Sequence, residues 1–325
     1  ADGCGNASAE PPPASPASTV QTASALSPAT EFHKPFLYLT QTPGEPGNRY
    51  FRWFSTRDAD LLCVSYKSRS DACTYIGKST WTEGRNWLWL LARRSPKRYQ
   101  FYIFLDDDAA INYNEGNGTW QDFEAGLVKY EPALSTCLTH VTPVDPLPGY
   151  DAQTISHWDG IITAFHHEVL EDSLVLPYFD GDDGFSWFHS QSALMYIGSV
   201  LWPQNTLQIN TLRIRNRYHR KYKKIKPSCG IKKICDSRRL WETDAFDGHF
   251  VEQRRRGLSK GVSHPPARKN ASYVLDRGQK DKWLLARSVY WNYIRSTVRC
   301  YELEDLPRVQ ECLSRRSYKG ISRMQ

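Results

Sequence analysis

The chain has 325 residues, 40% of them hydrophobic and 13% aromatic with 11 Trp and 18 Tyr, which supplies a sizeable core and excludes wholesale disorder. Its formal charge of +7 and pI of about 8.9 suit an anionic ligand such as a nucleotide diphosphate or an acidic glycan, but suit nucleic acid equally, so the sign decides little. No run of about 18 apolar residues occurs, so no stretch reads as a membrane span.

Residues 1–33 are rich in Ala, Ser, Pro and Thr and lack a periodic apolar pattern. Such a segment buries too little surface to offset its ordering entropy, and it reads as a flexible stem before a single domain over 34–325. The chain opens Ala1-Asp2-Gly3 without Met, and the expectation is that an N-terminal signal or anchor precedes it. Leu61–Tyr66 and Ala72–Ile76 read as strands. From Thr82 to Arg94 the apolar residues Trp87, Leu88, Leu90, Leu91 and Ala92 make a helical face, with Thr82 as the expected N-cap and Glu83 in the first turn. Tyr99–Leu105 is almost wholly apolar and aromatic, the pattern of a central parallel strand covered on both faces.

A helix is expected over Asp122–Tyr130, followed by an irregular Pro-rich stretch to Pro148. Trp158–Leu170 and Ser190–Leu201 read as helical, Thr206–Ile214 as a strand, and Asp281–Tyr293 as a C-terminal helix. Strand, strand, helix, strand in that order predicts an α/β sheet built from βαβ units. No internal repeat occurs.

Eight cysteines, at 4, 63, 73, 137, 229, 235, 300 and 312, form no CxxC pair and no zinc-finger spacing with histidines. An even count, with sequons at Asn6, Asn117 and Asn270, points to an oxidising secretory compartment, the Golgi or endoplasmic reticulum lumen or the exterior. The local pairs Cys229–Cys235 and Cys300–Cys312 are the expected disulfides.

The chemistry concentrates at Phe104-Leu105-Asp106-Asp107-Asp108. Three carboxylates at the end of a buried strand repel one another and are costly to desolvate, and a hard divalent cation such as Mn²⁺ or Mg²⁺ relieves that cost. Ligands of α/β sheets bind at the carboxyl ends of strands, which is where the triplet falls. Strand alternation makes Asp106 and Asp108 the expected metal ligands, with Asp107 turned elsewhere. A solvated acidic turn is the bland alternative.

A strand followed by Asp-Asp-Asp resembles the DxD motif of GT-A-fold glycosyltransferases, and Gly84-Arg85-Asn86-Trp87-Leu88 resembles the helix start of glucuronyltransferase-like members. The resemblance covers roughly residues 60–110. It implies a GT-A-type fold, a mixed and mainly parallel Rossmann-like sheet flanked by helices. It also implies a nucleotide-sugar donor, UDP-linked, whose diphosphate is bridged to the carboxylates by the metal, and a nucleotide contact by Gly84, Arg85, Asn86 and Asp107. A helix N-terminus carrying a Gly and an Arg suits an anion independently of that likeness. An ordinary helix start with a solvent-facing Arg is the competing reading.

A second acidic block, Phe179-Asp180-Gly181-Asp182-Asp183-Gly184, is followed by Trp187 and Phe188. By the same resemblance the catalytic base lies here: Asp183 or Asp182, with Asp180 third, would take the acceptor proton, and Trp187 and Phe188 would stack a sugar ring. A Gly-Asp surface turn is the alternative; the block lacks the closing Glu of an EF-hand loop. A late histidine, His219 or His249, would complete the metal shell. His166-His167-Glu168 is not HExxH, and His166 reads as packed. The twelve Lys/Arg between Arg213 and Arg239 are either a solvated face or a loop that closes on a diphosphate or an acidic glycan. The acceptor is expected to be a glycan or glycoprotein hydroxyl, with no nucleic acid and a membrane tie only through the preceding anchor. A metal-dependent phosphoesterase or nuclease, and a non-catalytic nucleotide- or glycan-binding protein, are the competing functions. GxSxG, P-loop and GxGxxG motifs are absent, which removes serine hydrolases, Walker ATPases and Rossmann dehydrogenases.

Overall fold

Tyr99–Asp106 (β4) forms the middle of the fold because both of its faces find apolar partners. Tyr102 and Phe104 lie in one core with Trp87, Leu88, Trp89 and Leu90, while Phe101, Ile103 and Leu105 lie in a second with Trp120, Phe123 and Leu127. Alternation along the strand feeds the two cores in turn, and helices cover both faces of the sheet. The computed structural model describes residues 31–47, 58–111, 118–139, 145–171, 175–178, 190–191, 194–195, 198, 201–216, 261–263, 273, 300 and 305–315.

In chain order the elements are β1 (Lys34–Thr42), β2 (Ala59–Ser65), β3 (Thr74–Tyr75), α1 (Trp81–Arg94), β4, β5 (Ala109–Ile111), α2 (Trp120–Tyr130), β6 (Leu134–Thr139), β7 (Ala152–Thr154), β8 (Ile162–His166), α3 (His167–Glu171), β9 (Thr206–Asn216) and α4 (Leu306–Arg315). The sheet runs β3-β2-β1-β4-β8-β6-β9-β5, with β7 paired to β9. β1 pairs parallel with both β2 and β4 in ladders that run the length of the strands, and β6 pairs parallel with β9. β8 is antiparallel to both of its neighbours, β4 and β6. The protein is therefore an α/β fold with a mixed, mostly parallel sheet between helices.

That topology fixes where a ligand site can form. β2 and β4 lie on opposite sides of β1, so the chain order reverses between β1 and β4. At such a switch point a crevice opens outside the carboxyl ends of the strands. Gln41 of β1 and Asp106 of β4 are register partners at that edge. β9 reaches the same edge through an irregularity: Cys137 pairs with Ile209 but Leu138 with Arg213, so the register skips between them. Such a break bends a strand, and beyond it Ile214–Asn216 pair with β5, the strand that follows the acidic triplet.

Two expectations are corrected. Trp158–Leu170, read as helical, holds strand β8 and then only the five-residue α3. β8 is buried at every position, between β4 and β6, and a short apolar run of that kind has no period to separate strand from helix. Thr82 is not the N-cap of α1. Thr80 is: its hydroxyl accepts from the Glu83 N–H, and the Glu83 carboxylate accepts from the Thr80 N–H, a closed capping box. Thr82 is instead buried, with its hydroxyl donating to Ser190 Oγ.

Cys300–Cys312 is a disulfide as expected, and Cys63–Cys73, not anticipated from spacing, is a second. Cys137 is a buried free thiol whose pKa burial drives upward. Cys229 and Cys235, the three sequon asparagines, the helix over Asp281–Tyr293 and most of the basic run lie outside the described residues. No described helix is long and apolar enough to cross a membrane.

Candidate active site

α1 begins at Trp81 because the capping box satisfies its first backbone donors and Glu83 complements the positive helix end. Its first two turns face the carboxyl end of β4. Arg85 is 2% exposed and gathers three elements at once. One Nη2 donates to Asp106 Oδ1 at 2.8 Å and to the Gly160 carbonyl at 2.6 Å, while Nη1 donates to the Tyr178 hydroxyl at 3.3 Å. Its guanidinium lies 4.0 Å from the Trp81 ring centroid and 5.6 and 5.7 Å from those of Phe104 and Tyr178. A cation this buried requires a counter-charge, and Asp106 is its carboxylate partner among the described residues.

Asp106 accepts a second bond at the same oxygen, from Trp81 Nε1 at 3.0 Å. Its backbone N–H donates to the Ile161 carbonyl. The Asp159–Ile161 turn before β8, closed by the Ile161 N–H donating to Asp159 Oδ1, thus lies against the end of β4. Asp107 and Asp108 form the turn between β4 and β5, so strand alternation ends at Asp106 and does not extend to Asp108. Both turn carboxylates lie near Tyr66: burial, then the charges of Asp107 and Asp108, push the Tyr66 phenol above its ordinary range. Tyr66 follows β2 at the carboxyl edge of the sheet and is 37% exposed.

Asn86, expected at the nucleotide, is fully buried. Its Nδ2 donates to the Tyr178 carbonyl at 2.9 Å and its Oδ1 accepts from the Tyr178 N–H at 2.6 Å, so both ends of the amide serve the backbone of one residue. Gly84 is a packing glycine: a Cβ there would fall 2.1 to 2.4 Å from the amide group of Gln41. That amide is fixed in turn, donating to the Thr80 carbonyl and to Ser79. Arg85 and Asn86 together tie Tyr178, the residue just before the second acidic block, to α1. Burial pushes the Tyr178 phenol up, against the pull of Arg85.

Of the residues singled out in the sequence, the fold gathers Gly84, Arg85, Asn86, Asp106, Asp107 and Asp108 at one edge. Asp180, Asp182, Asp183, Trp187, Phe188, His219 and His249 lie outside the described residues. Trp81, Tyr66, Gly160 and Tyr178 belong to this edge and were missed. For Trp81 and Tyr66 a signal existed, since one opens the helix next to Arg85 and the other closes a strand. Arg215, from the basic run, is exposed and opposite Ala110, two residues past Asp108.

His166, His167 and Glu168 present ligand-type atoms within 4.8 Å of one another, but at the far end of β4, where His166 pairs with Phe101. The His166 ring is 3% exposed and packs against Phe101, His167 and Tyr273, and the Glu168 carboxylate accepts from the Tyr273 N–H. This cluster is remote from the acidic triplet.

No family profile and no curated protein sequence matches the chain. Among solved structures, it is similar to A197 from STIV, at 12% identity and a TM-score of 0.36, over 55% of this chain and 84% of that one. It is also similar to S. aureus TarS 1–349, at 10% identity and a TM-score of 0.40, over 90% of this chain and 92% of that one. Likenesses this distant carry no functional argument, and the fold assignment rests on the strands and helices themselves.

Proposed function

We propose that this chain is a metal-dependent glycosyltransferase that moves a sugar from a nucleotide-diphosphate donor, UDP-linked, to a hydroxyl of a glycan or glycoprotein in the secretory pathway. The observation that carries the reading is the acidic triplet Asp106–Asp108 at the carboxyl end of β4, beside the switch point of the sheet. The donor set is all oxygen, which fits Mn²⁺ or Mg²⁺ and disfavours softer ions. When bound, the cation would offset charge on the departing diphosphate.

The residues of the chain do the rest. Tyr66 offers an aromatic face at the carboxyl edge of the sheet, and Arg215 offers positive charge beside the triplet. An aspartate of the second block, Asp183 or Asp182 with Asp180 third, accepts the acceptor hydroxyl proton as the new glycosidic C–O bond forms and the bond to the diphosphate oxygen breaks. Trp187 and Phe188 are proposed to stack the sugar, and His219 or His249 to complete the metal shell. The two disulfides are compatible with a lumenal or secreted setting.

Thermal-shift screening of the native protein against UDP-, GDP- and CMP-sugars, with and without Mn²⁺, tests the proposal. Binding to the folded state raises Tm by linkage, and a rise that needs both UDP-sugar and Mn²⁺ is expected. No shift with any sugar nucleotide, or phosphodiester hydrolysis without a sugar donor, would overturn it.

A further inference from the structure

His166, His167 and Glu168 follow one another where β8 ends and α3 begins. Successive side chains alternate between faces along a strand and step round the axis of a helix, so neither element brings three in a row together. At this junction they do converge: one ligand-type atom from each lies within 4.8 Å of the other two. The two imidazoles are 4.5 Å apart between centroids and tilted by 40°. Aromatic edges hold both rings, Phe101 and Tyr273 against His166 and Phe32 against His167. The Tyr273 N–H orients the Glu168 carboxylate, and an ionised carboxylate has lone pairs for a further partner. His167 Nδ1 is buried, and Glu171 Oε1 lies 3.9 Å from it, beyond hydrogen-bond length. Glu171 is itself held by Arg98 at 2.6 Å. Two imidazoles and two carboxylates therefore meet at one corner of the fold.

We propose that this junction is a metal site of its own, of the zinc type, with His166, His167 and Glu168 as ligands and Glu171 beside the fourth position. Two nitrogens and an oxygen form a zinc-type donor set, unlike the all-oxygen triplet at the other end of β4. A tetrahedral ion with bonds of about 2.0–2.2 Å needs ligand atoms roughly 3.3–3.5 Å apart, so the side chains close by about an ångström on binding. The bonds from Tyr273 to Glu168 and from Arg98 to Glu171 are outer contacts of the kind that orient metal-binding carboxylates. His167 and Glu168 are only half-buried, which gives the ion a way in. The role is structural. The Tyr273 hydroxyl donates to the Glu131 carbonyl at the end of α2, so an ion on Glu168 would strengthen a tie that runs from α3 through Tyr273 to α2. His166 pairs with Phe101, five residues before Asp106 and roughly 17 Å along the strand from it, so this site stands whatever the triplet does.

The test is calorimetric titration of Zn²⁺ into the full-length, metal-stripped chain, with Tm in parallel, on wild type, His167→Gln, Glu168→Gln and Asp108→Asn. Wild type and Asp108→Asn should each take up a Zn²⁺ that raises Tm, as binding to the folded state does, and EDTA should reverse the rise. Glu168→Gln keeps an acceptor for the Tyr273 N–H, and His167 is only half-buried, so both variants should hold their metal-free Tm near that of wild type. Their affinity for this ion should fall by more than the about 10–100-fold typical of an outer-shell partner. Co²⁺ bound to wild type gives a readout free of substitution: a four-coordinate visible spectrum is expected, retained in Asp108→Asn. Should a junction variant fail to fold, that spectrum decides. No Zn²⁺ uptake by wild type, uptake unchanged in either folded junction variant, uptake lost in Asp108→Asn, or a six-coordinate Co²⁺ spectrum alone would overturn the proposal.

Discussion

Asn86 separates a nucleotide-contacting role from a structural one. Asn86→Ala removes an amide that donates to one backbone group of Tyr178 and accepts from the other, at a position with no solvent exposure. Water has no ready access, so the Tyr178 N–H and C=O are both left without partners. Each unsatisfied buried group costs about 1–3 kcal/mol, for a total of about 2–6 kcal/mol. In a chain of this size that is a fall in Tm of about 5–10 °C. Scanning calorimetry with and without UDP and Mn²⁺ measures both sides of the question. The structure predicts a large loss of Tm, with any loss of nucleotide affinity following from displacement of Tyr178 and its neighbour Arg85. Asn86→Asp should be as damaging, because a carboxylate oxygen would then face the Tyr178 carbonyl. An Asn86→Ala protein with wild-type Tm and abolished UDP binding would refute the reasoning and return Asn86 to the ligand.

Gly84→Ala must drive the Gln41 amide away from Thr80 and Ser79, at about 1–3 kcal/mol, seen as a lowered urea midpoint; an unchanged midpoint would mean that Gln41 moves freely. Replacing Cys63 and Cys73 together by Ser opens a loop of sequence separation 10 and should cost about 2–3 kcal/mol, read as a drop in Tm under non-reducing conditions; an unchanged Tm would contradict the assignment. Asp60 is held at a pKa of about 2: its partial burial opposes this, but hydrogen bonds from Lys34 and Tyr99 and the charges of Lys34 and Lys97 prevail. Its folded pKa lies below its unfolded one, so the stabilisation of about 2 kcal/mol is fully present only above about pH 4, shrinks below that, and is lost as pH falls through about 2. Asp60→Asn should accordingly be less stable than wild type at pH 6, and the gap between the two urea midpoints should narrow steadily below about pH 4 and close only below about pH 2; a constant difference would contradict the linkage.

The sheet was legible where the sequence carried period or monotony. Tyr99–Leu105 is apolar throughout because two cores cover it, and Trp87–Ala92 repeats at helical spacing because one face of α1 meets the sheet. β8 was misread because burial on both faces erases period, although Ile162 and Thr163 are β-branched residues that favour a strand. The start of α1 was misplaced by two residues even though Thr80-Trp81-Thr82-Glu83 carries the capping-box pattern in full. At the site, the residue types raised the expectation of a cation but not the pairing of Arg85 with Asp106. Whether Arg85 serves a ligand or Asp106 depends on the side chain of β4 that faces it, and the Gly160 and Tyr178 contacts join residues 75 and 93 positions apart. No local pattern contains that information.

The central claim is that Asp106–Asp108 is the metal and nucleotide site of a sugar-transfer enzyme, and its most direct test is Mn²⁺-dependent release of UDP from UDP-sugars by wild type and Asp108→Asn. Wild type should release UDP only with Mn²⁺ or Mg²⁺ present, and Asp108→Asn, shown to be folded, should lose more release than the about 10–100-fold typical of an outer-shell partner. Full, metal-dependent release by Asp108→Asn would contradict the account.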